Sequence, residues 1–233
     1  MVLVEVSAKP ALQGCKSVRH SFLTGVWQKK GGTAVISPFA YTVCRGLSFL
    51  EQKEVTMLRL RPFKPQDGEY LIKWFDDEKA FVKWSAGQFS YPLTRQQIDD
   101  YCKKWEQDNN GWPMAALDEN GQVVGHLLMR TMDYQNNELF FGFIVVDPTI
   151  RGKGYGKEML SLALEYAFHI LKADTVRLRV FANNPGAKAC YEAVGFEEEQ
   201  FMKAAFSYKE ELWDNYQMAA RRSKIKRQEE RLL

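Results

Sequence analysis

A nearly continuous apolar run, Glu138–Val146 (ELFFGFIVV), stops at Asp147-Pro148 and leads within two residues into Arg151-Gly152-Lys153-Gly154-Tyr155-Gly156. A run this apolar reads as a strand buried on both faces. Proline ends it, because it has no N–H to give a ladder. The alternating glycines let the backbone approach a ligand closely and turn its N–H groups toward one point. The next residues predict a helix. Met159, Leu160, Ala163, Leu164, Ala167 and Leu171 face inward, and Glu158, Ser161, Glu165, His169 and Lys172 form a polar stripe. A helix N-terminus carries partial positive charge, to which Arg151 and Lys153 add whole charges. Strand, glycine turn and helix together predict a phosphate or pyrophosphate cradle. It is not a Walker A loop, because Gly156-Lys157 is followed by Glu158 and Arg151 stands where the leading glycine belongs. The dinucleotide fingerprint fails too, since Lys157 occupies its third glycine position.

The surrounding periods are regular from Leu58 to about residue 219. LRLRP (58–62) alternates like a strand, and Asp67 precedes a helix with Tyr70, Leu71, Trp74 and Phe75 on one face. Thr94 and Gln97 form a capping box for a second helix with Ile98, Tyr101, Cys102 and Trp105 on its apolar side. Between these helices, 76–93 reads as an aromatic-rich connection containing Trp84, Phe89 and Tyr91. WPMAAL (112–117) and VVGHLLM (123–129), joined at Asn120-Gly121, read as a hairpin. TVRLRVF (175–181) is a further strand. Asn184 caps the helix after it, Pro185 suits its first position, and Gly195-Phe196 suits its exit. His126 and His169 read as structural, and 199–212 as a connection.

Composition narrows the function classes. The chain of 233 residues is 45% hydrophobic and 26% charged, which excludes a highly charged disordered chain. No stretch approaches the ~18 apolar residues of a membrane span. Cys15, Cys44, Cys102 and Cys190 make no CxxC pair and have no histidine cluster beside them. No metal site is therefore expected, and reduced thiols suit a cytoplasmic protein. The net charge of +3 hides a division: residues 1–56 and 220–233 each carry +4, and 57–219 carries −5. Neither nucleic acid nor a membrane is an expected partner of the acidic body. The tail 220–233 reads as a solvated helix end, with an RNA-binding arm as the alternative. Residues 1–56 have no clean period and are expected to be a poorly structured extension, with Met57 opening the natural domain. A transit peptide is the other reading.

Two motifs in series resemble the GNAT superfamily of N-acetyltransferases. Its acyl-CoA signature, R/Q-x-x-G-x-G/A, is matched by Arg151–Gly156. Its second motif, N-x-x-A-x-x-x-Y-x-x-x-G-F, is matched by Asn184, Ala187, Tyr191, Gly195 and Phe196. The opening LRLRP and the close at Trp213–Ala219 resemble the RimJ/RimL group, which acetylates protein N-termini and small amines. The resemblance covers 57–219. It implies an α/β (α+β) GNAT fold: a mixed, mostly antiparallel central sheet, splayed between strands four and five and flanked by helices. It implies acetyl-CoA as co-substrate, a peptide N-terminus or small-molecule amine as acceptor, and a monomer or homodimer. Backbone groups of Ile144, Val145 and Val146 would hold the pantetheine. Arg151, Gly152, Lys153, Gly154, Tyr155, Gly156 and Lys157 would hold the pyrophosphate, and Asn184, Ala187 and Tyr191 would complete the cofactor site. Trp84, Phe89 and Tyr91 would line the acceptor side. Tyr191 matches the family's general acid, although a phenol near ~10 protonating a thiolate near ~8.5 is uphill by roughly 2 kcal/mol. Glu138 is the side-chain candidate for the base. An alkyl amine costs about 4.6 kcal/mol to deprotonate at pH 7 and an α-amine only about 1.4 kcal/mol, so an α-amine needs less base. A non-catalytic acyl-CoA sensor is the alternative.

Overall fold

The computed structural model describes residues 57–224. The readings of 1–56 and of the tail beyond Lys224 lie outside the described residues. The strands are β1 (Arg59–Pro62), β2 (Gly111–Leu117), β3 (Val123–Asp133), β4 (Glu138–Val146), β5 (Thr175–Phe181), β6 (Glu197–Tyr208) and β7 (Glu211–Arg221). The helices are α1 (Gly68–Trp74), α2 (Glu78–Ser85), α3 (Arg95–Gln107), α4 (Tyr155–Glu165) and α5 (Pro185–Glu192). One sheet runs β1-β2-β3-β4-β5-β7-β6. Every neighbouring pair is antiparallel except β4–β5, which are parallel and joined by the α4 crossover.

The β2–β3 hairpin turns where the sequence indicates. Gly121 takes φ +79°, and Asp118 accepts from the backbone N–H groups of Asn120 and Gln122. Each sheet face is covered by its own core. Leu127, Met129, Leu139, Phe141, Val176 and Leu178 pack against Met159, Leu160 and Ala163 of α4 and Tyr191 of α5. On the other face Leu128, Phe143 and Val145 pack against Leu71, Phe81, Ile98 and Tyr101 of α1–α3. The entrance to α1 is fastened by Asp67, whose carboxylate takes both guanidinium nitrogens of Arg61 at 2.6 and 2.9 Å and the Lys64 N–H at 2.8 Å.

Burial alternates without a break along β4, yet the buried side chains change face midway. Leu139 and Phe141 belong to the α4 core, and Phe143 and Val145 to the α1–α3 core. A β-bulge between the pairs Leu128–Gly142 and His126–Val145 causes the switch, with Phe143 at φ +48°. One extra residue rotates the rest of the strand by half a period.

Four features differ from the sequence reading. The connection 76–93 contains α2, capped by Asp77, which accepts from Ala80 N–H at 2.6 Å. The segment 199–212 forms most of the β6–β7 hairpin. Its outer strand is largely exposed, so no hydrophobic alternation marks it. The helix beginning at Tyr155 gives way to a π-turn over Tyr166–Ile170, which lets Ala167 and Phe168 both be buried. Strand β7 also runs through Arg221, into the stretch assigned to the basic tail.

Gly111 is the tightest joint. A Cβ there would lie 2.0 Å from the Trp105 ring. Gly111→Ala is expected to destabilise the domain by about 1–3 kcal/mol through overpacking. Urea unfolding should show a lower midpoint at unchanged slope.

Candidate active site

Strands β4 and β5 pair over only three residues, Glu138–Phe140 with Thr175–Arg177. From Phe141 to Val146 the β4 edge facing β5 has no ladder partner among the described strands. That leaves about 20 Å of strand edge, at ~3.3 Å per residue, without a ladder partner. The groove runs toward the C-terminal end of β4, where the glycine turn begins. Asp147 shapes that turn by accepting from the backbone N–H and hydroxyl of Thr149, both at 2.8 Å.

The glycines do two different jobs. Gly152 (φ +82°) and Gly154 (φ +97°) are in left-handed conformations, and a Cβ on either would meet nothing within 4 Å. They are needed for backbone shape. Gly156 is needed for packing, because a Cβ there would lie 3.2 Å from Cys190 Sγ and 3.8 Å from Val146 Cγ2. It thereby joins the end of β4, the start of α4 and the side of α5. Gly154 is the N-cap of α4 and, having no side chain, makes no cap bond to this helix itself. Arg151, Lys153 and Lys157 are exposed around it.

On the α4 face, Tyr191 is buried, with its ring 6.1 Å from Phe196, which in turn lies 6.4 Å from Phe141 at the start of the groove. Burial raises the Tyr191 phenol well above its ordinary pKa, so it stays protonated. Asn184 caps α5 by accepting from Ala187 N–H at 3.4 Å. Val146, Gly156 and α5 thus converge at the mouth of the groove.

Glu138 does not join them. It sits at the closed end of the seam, ion-paired to Arg177, which also holds Glu199 at 2.6 Å. Its carboxylate is committed to that network and lies eight residues along β4 from the turn at Asp147-Pro148. The aromatic trio divides as well. Trp84 stacks on Phe89 (5.4 Å, 12°) and packs on Phe143 at the bulge (5.4 Å). Tyr91 is 40% exposed, and its hydroxyl donates to the Asp76 carbonyl at 3.0 Å. Helix α2 is tied across to the second half of the sheet by Lys79–Glu211, Lys209–Glu78 and a bond from Lys83 to the Asn183 carbonyl. The two segments 76–93 and 199–212 therefore meet.

His126, which the sequence reads as structural, fixes the bulge of β4. It is 1% exposed on β3, and its Nδ1–H donates to the Phe143 carbonyl at 2.9 Å. That assignment leaves Nε2 to accept from the Tyr101 hydroxyl at 3.2 Å. Burial holds its pKa down to about 4, so the ring is neutral near pH 7. A neutral imidazole thus bolts the positive-φ residue of the bulge in place. A polar residue inside an otherwise apolar strand was the available signal.

A family model, the acetyltransferase (GNAT) domain, matches residues 57–197. The chain belongs to the GNAT acetyltransferase family. Spermidine N(1)-acetyltransferase of Vibrio cholerae is 26% identical over 152 residues, covering 65% of this chain and 85% of that protein. An N-acetyltransferase 9-like protein of Caenorhabditis briggsae is 24% identical, with coverages of 62% and 77%. The fold matches the Vibrio cholerae spermidine N-acetyltransferase solved with CoA and spermine, at TM-score 0.64 and 24% identity, over 72% of this chain and 97% of that one. These relatives are N-acetyltransferases of several kinds and do not single out the RimJ/RimL group. The GNAT chain is an acetyl-CoA-dependent N-acetyltransferase. Its residues suit the co-substrate: a cationic helix start with glycine at its N-cap, two left-handed glycines facing open space, and a strand edge without a ladder partner among the described strands. No group of three potential metal ligands occurs among the described residues, and no described helix is long and apolar enough to cross a membrane.

The low pKa of His126 sets a pH dependence. Unfolded histidine takes up a proton near 6.5, whereas the folded ring does so only near 4. This site's contribution to stability is therefore whole above pH 6.5 and is lost as pH falls to about 4. The loss is on the order of 3 kcal/mol. His126→Phe should flatten the wild-type decline across that window in urea titrations run at stepped pH.

Proposed function

We propose that the enzyme moves acetyl from acetyl-CoA to a primary amine by direct attack within a ternary complex. The observation that carries this reading is the unpaired β4 edge, which runs from the Glu138–Phe140 seam to the cationic start of α4. The neutral amine attacks the thioester carbonyl, the C–S bond breaks as the C–N bond forms, and the proton lost from nitrogen balances the one that the departing CoA thiolate takes up. The pyrophosphate would lie on the N–H groups of Gly152–Lys157, assisted by Arg151 and Lys153. Ile144, Val145 and Val146 offer the backbone edge for the pantetheine. A backbone N–H aimed at the developing oxyanion would assist without reorganisation, because His126 fixes the bulge beside it.

Tyr191 is the proposed acid, acting through a hydrogen bond to the departing sulfur in the transition state. Its raised pKa favours donating a hydrogen bond to the departing sulfur over giving the proton away completely. With Glu138 paired to Arg177, no base is assigned to that carboxylate. An α-amine or another weakly basic amine then suits the site best, since it deprotonates at least cost. This is the chemistry the RimJ/RimL likeness suggests. Trp84 and Phe89 would form the acceptor wall. Two free thiols, Cys102 and Cys190, and a need for acetyl-CoA suit a cytoplasmic setting.

Acetyl-CoA-dependent thiol release with pooled amines tests the reading. Tyr191→Phe should lower turnover about ten- to a hundredfold while leaving acetyl-CoA affinity intact. An unchanged rate would remove the acid assignment. Gly154→Val places a β-branched residue at φ +97° and should weaken acetyl-CoA binding at least ~tenfold by titration calorimetry. Retained affinity would mean that the glycine turn is not the cradle.

A further inference from the structure

The sheet face covered by α1–α3 is where an acceptor would meet the groove, and it is cationic. Arg130 of β3 and Arg179 of β5 flank the ring of Phe140, with guanidinium carbons 5.0 and 5.9 Å from its centroid. Phe140 is the last residue of the β4–β5 seam, so both charges stand where the groove begins. The Arg130 side chain then lies along Gly142, where a Cβ would be 3.3 Å from its Nε. That Nε is buried and has no hydrogen-bond partner among the described residues. Arg179 donates its Nε only to the neutral Gln217, at 3.4 Å. Arg177 is different, being neutralised by Glu138 and Glu199. No described carboxylate pairs with Arg130 or Arg179. A second buried donor lies next along β4: Trp84 Nε1 has no hydrogen-bond partner among the described residues, and its ring packs on Phe143.

Each of these orphaned atoms can only donate. A half-buried guanidinium without a counter-charge is costly, and the cost is relieved by a ligand bringing negative charge. Guanidinium groups suit carboxylate and phosphate because their N–H fork matches two oxygens. A polyamine would instead bring further positive charge to two cations. Burial, and then the neighbouring Arg179, also lower the Arg130 pKa, in keeping with unrelieved charge.

We propose that Arg130 and Arg179 bind an anionic group of the acceptor, a carboxylate or a phosphate, so that the preferred acceptor is an anionic amine such as a free amino acid. This rests on the acetyltransferase reading above and names its substrate class. The same charges disfavour a protonated amine beside them, which eases a deprotonation for which no side-chain base has been placed.

The test uses the full chain and follows CoA thiol release. L-methionine is compared with L-methioninamide, glucosamine 6-phosphate with glucosamine, and spermidine is run alongside. The expected result is a kcat/KM at least tenfold higher for one anionic member than for its neutral counterpart and for spermidine. Preference for methionine identifies a carboxylate, and preference for the sugar phosphate identifies a phosphate. Arg130→Gln and Arg179→Gln should bring that ratio toward one by raising KM for the anionic amine, and Arg130→Lys should restore part of it. Arg179 is exposed, so its variant keeps the test sound if Arg130→Gln fails to fold. The proposal is overturned if spermidine or the neutral members serve as well, if neither variant changes the ratio, or if nothing in the panel is acetylated by enzyme that binds acetyl-CoA. Failure to bind acetyl-CoA in a direct titration would instead remove the acetyltransferase reading beneath it.

Discussion

Three residue pairs hold the sheet together at its centre. The parallel contact between Glu138–Phe140 and Thr175–Arg177 is short because β4 then bulges and turns away. A parallel pair needs a crossover, and α4 supplies it while placing its own N-terminus at the open end of the gap. Groove and anion-binding helix end are thus products of one connection. Arg177 closes the other end by joining Glu138 of β4 to Glu199 of β6. Those charges are partly solvated, so they contribute more to the geometry of the seam than to stability.

The bulge is the second determinant. It gives each core half of β4 and leaves Phe143 at a positive φ that a bulky side chain adopts only under constraint. The constraint is the buried pair Tyr101 and His126, donating in series toward the Phe143 carbonyl. Because that histidine remains neutral, the bolt carries no charge to desolvate. Aromatic contacts from Trp84 and Phe89 to Phe143 then extend it to the acceptor wall.

Much of this was legible in the sequence, for identifiable reasons. The glycine turn and the Asn184–Phe196 motif are dense in residues whose backbone demands are specific, and they stand where the motifs place them. The hairpin at Gly121 followed from turn chemistry. What escaped was set by tertiary contact. Helix α2 is short and filled with aromatics, and only its Asp77 cap advertised it. Strand β6 is an exposed edge paired to β7, which no alternation revealed. Glu138 was attractive from its strand position, but an ion pair across the seam is invisible to local pattern. The bulge was hidden because its buried positions still alternate, although they belong to different cores. The pairing of Arg130 with Arg179 depends on strand order, with residues 49 positions apart brought to one ring.

Strand order also has a consequence for how the chain assembles. Strand β5 touches β4 at only three positions but lies along β7 for its whole length, Thr175–Phe181 against Asn215–Arg221. A chain emerging from the ribosome can pair β1 through β4 as successive antiparallel neighbours. The far wall of the groove must wait until β7, near the end of the described chain, is available to hold β5. The sheet is thus two blocks meeting at a narrow seam, the second completed late and through contacts distant in sequence.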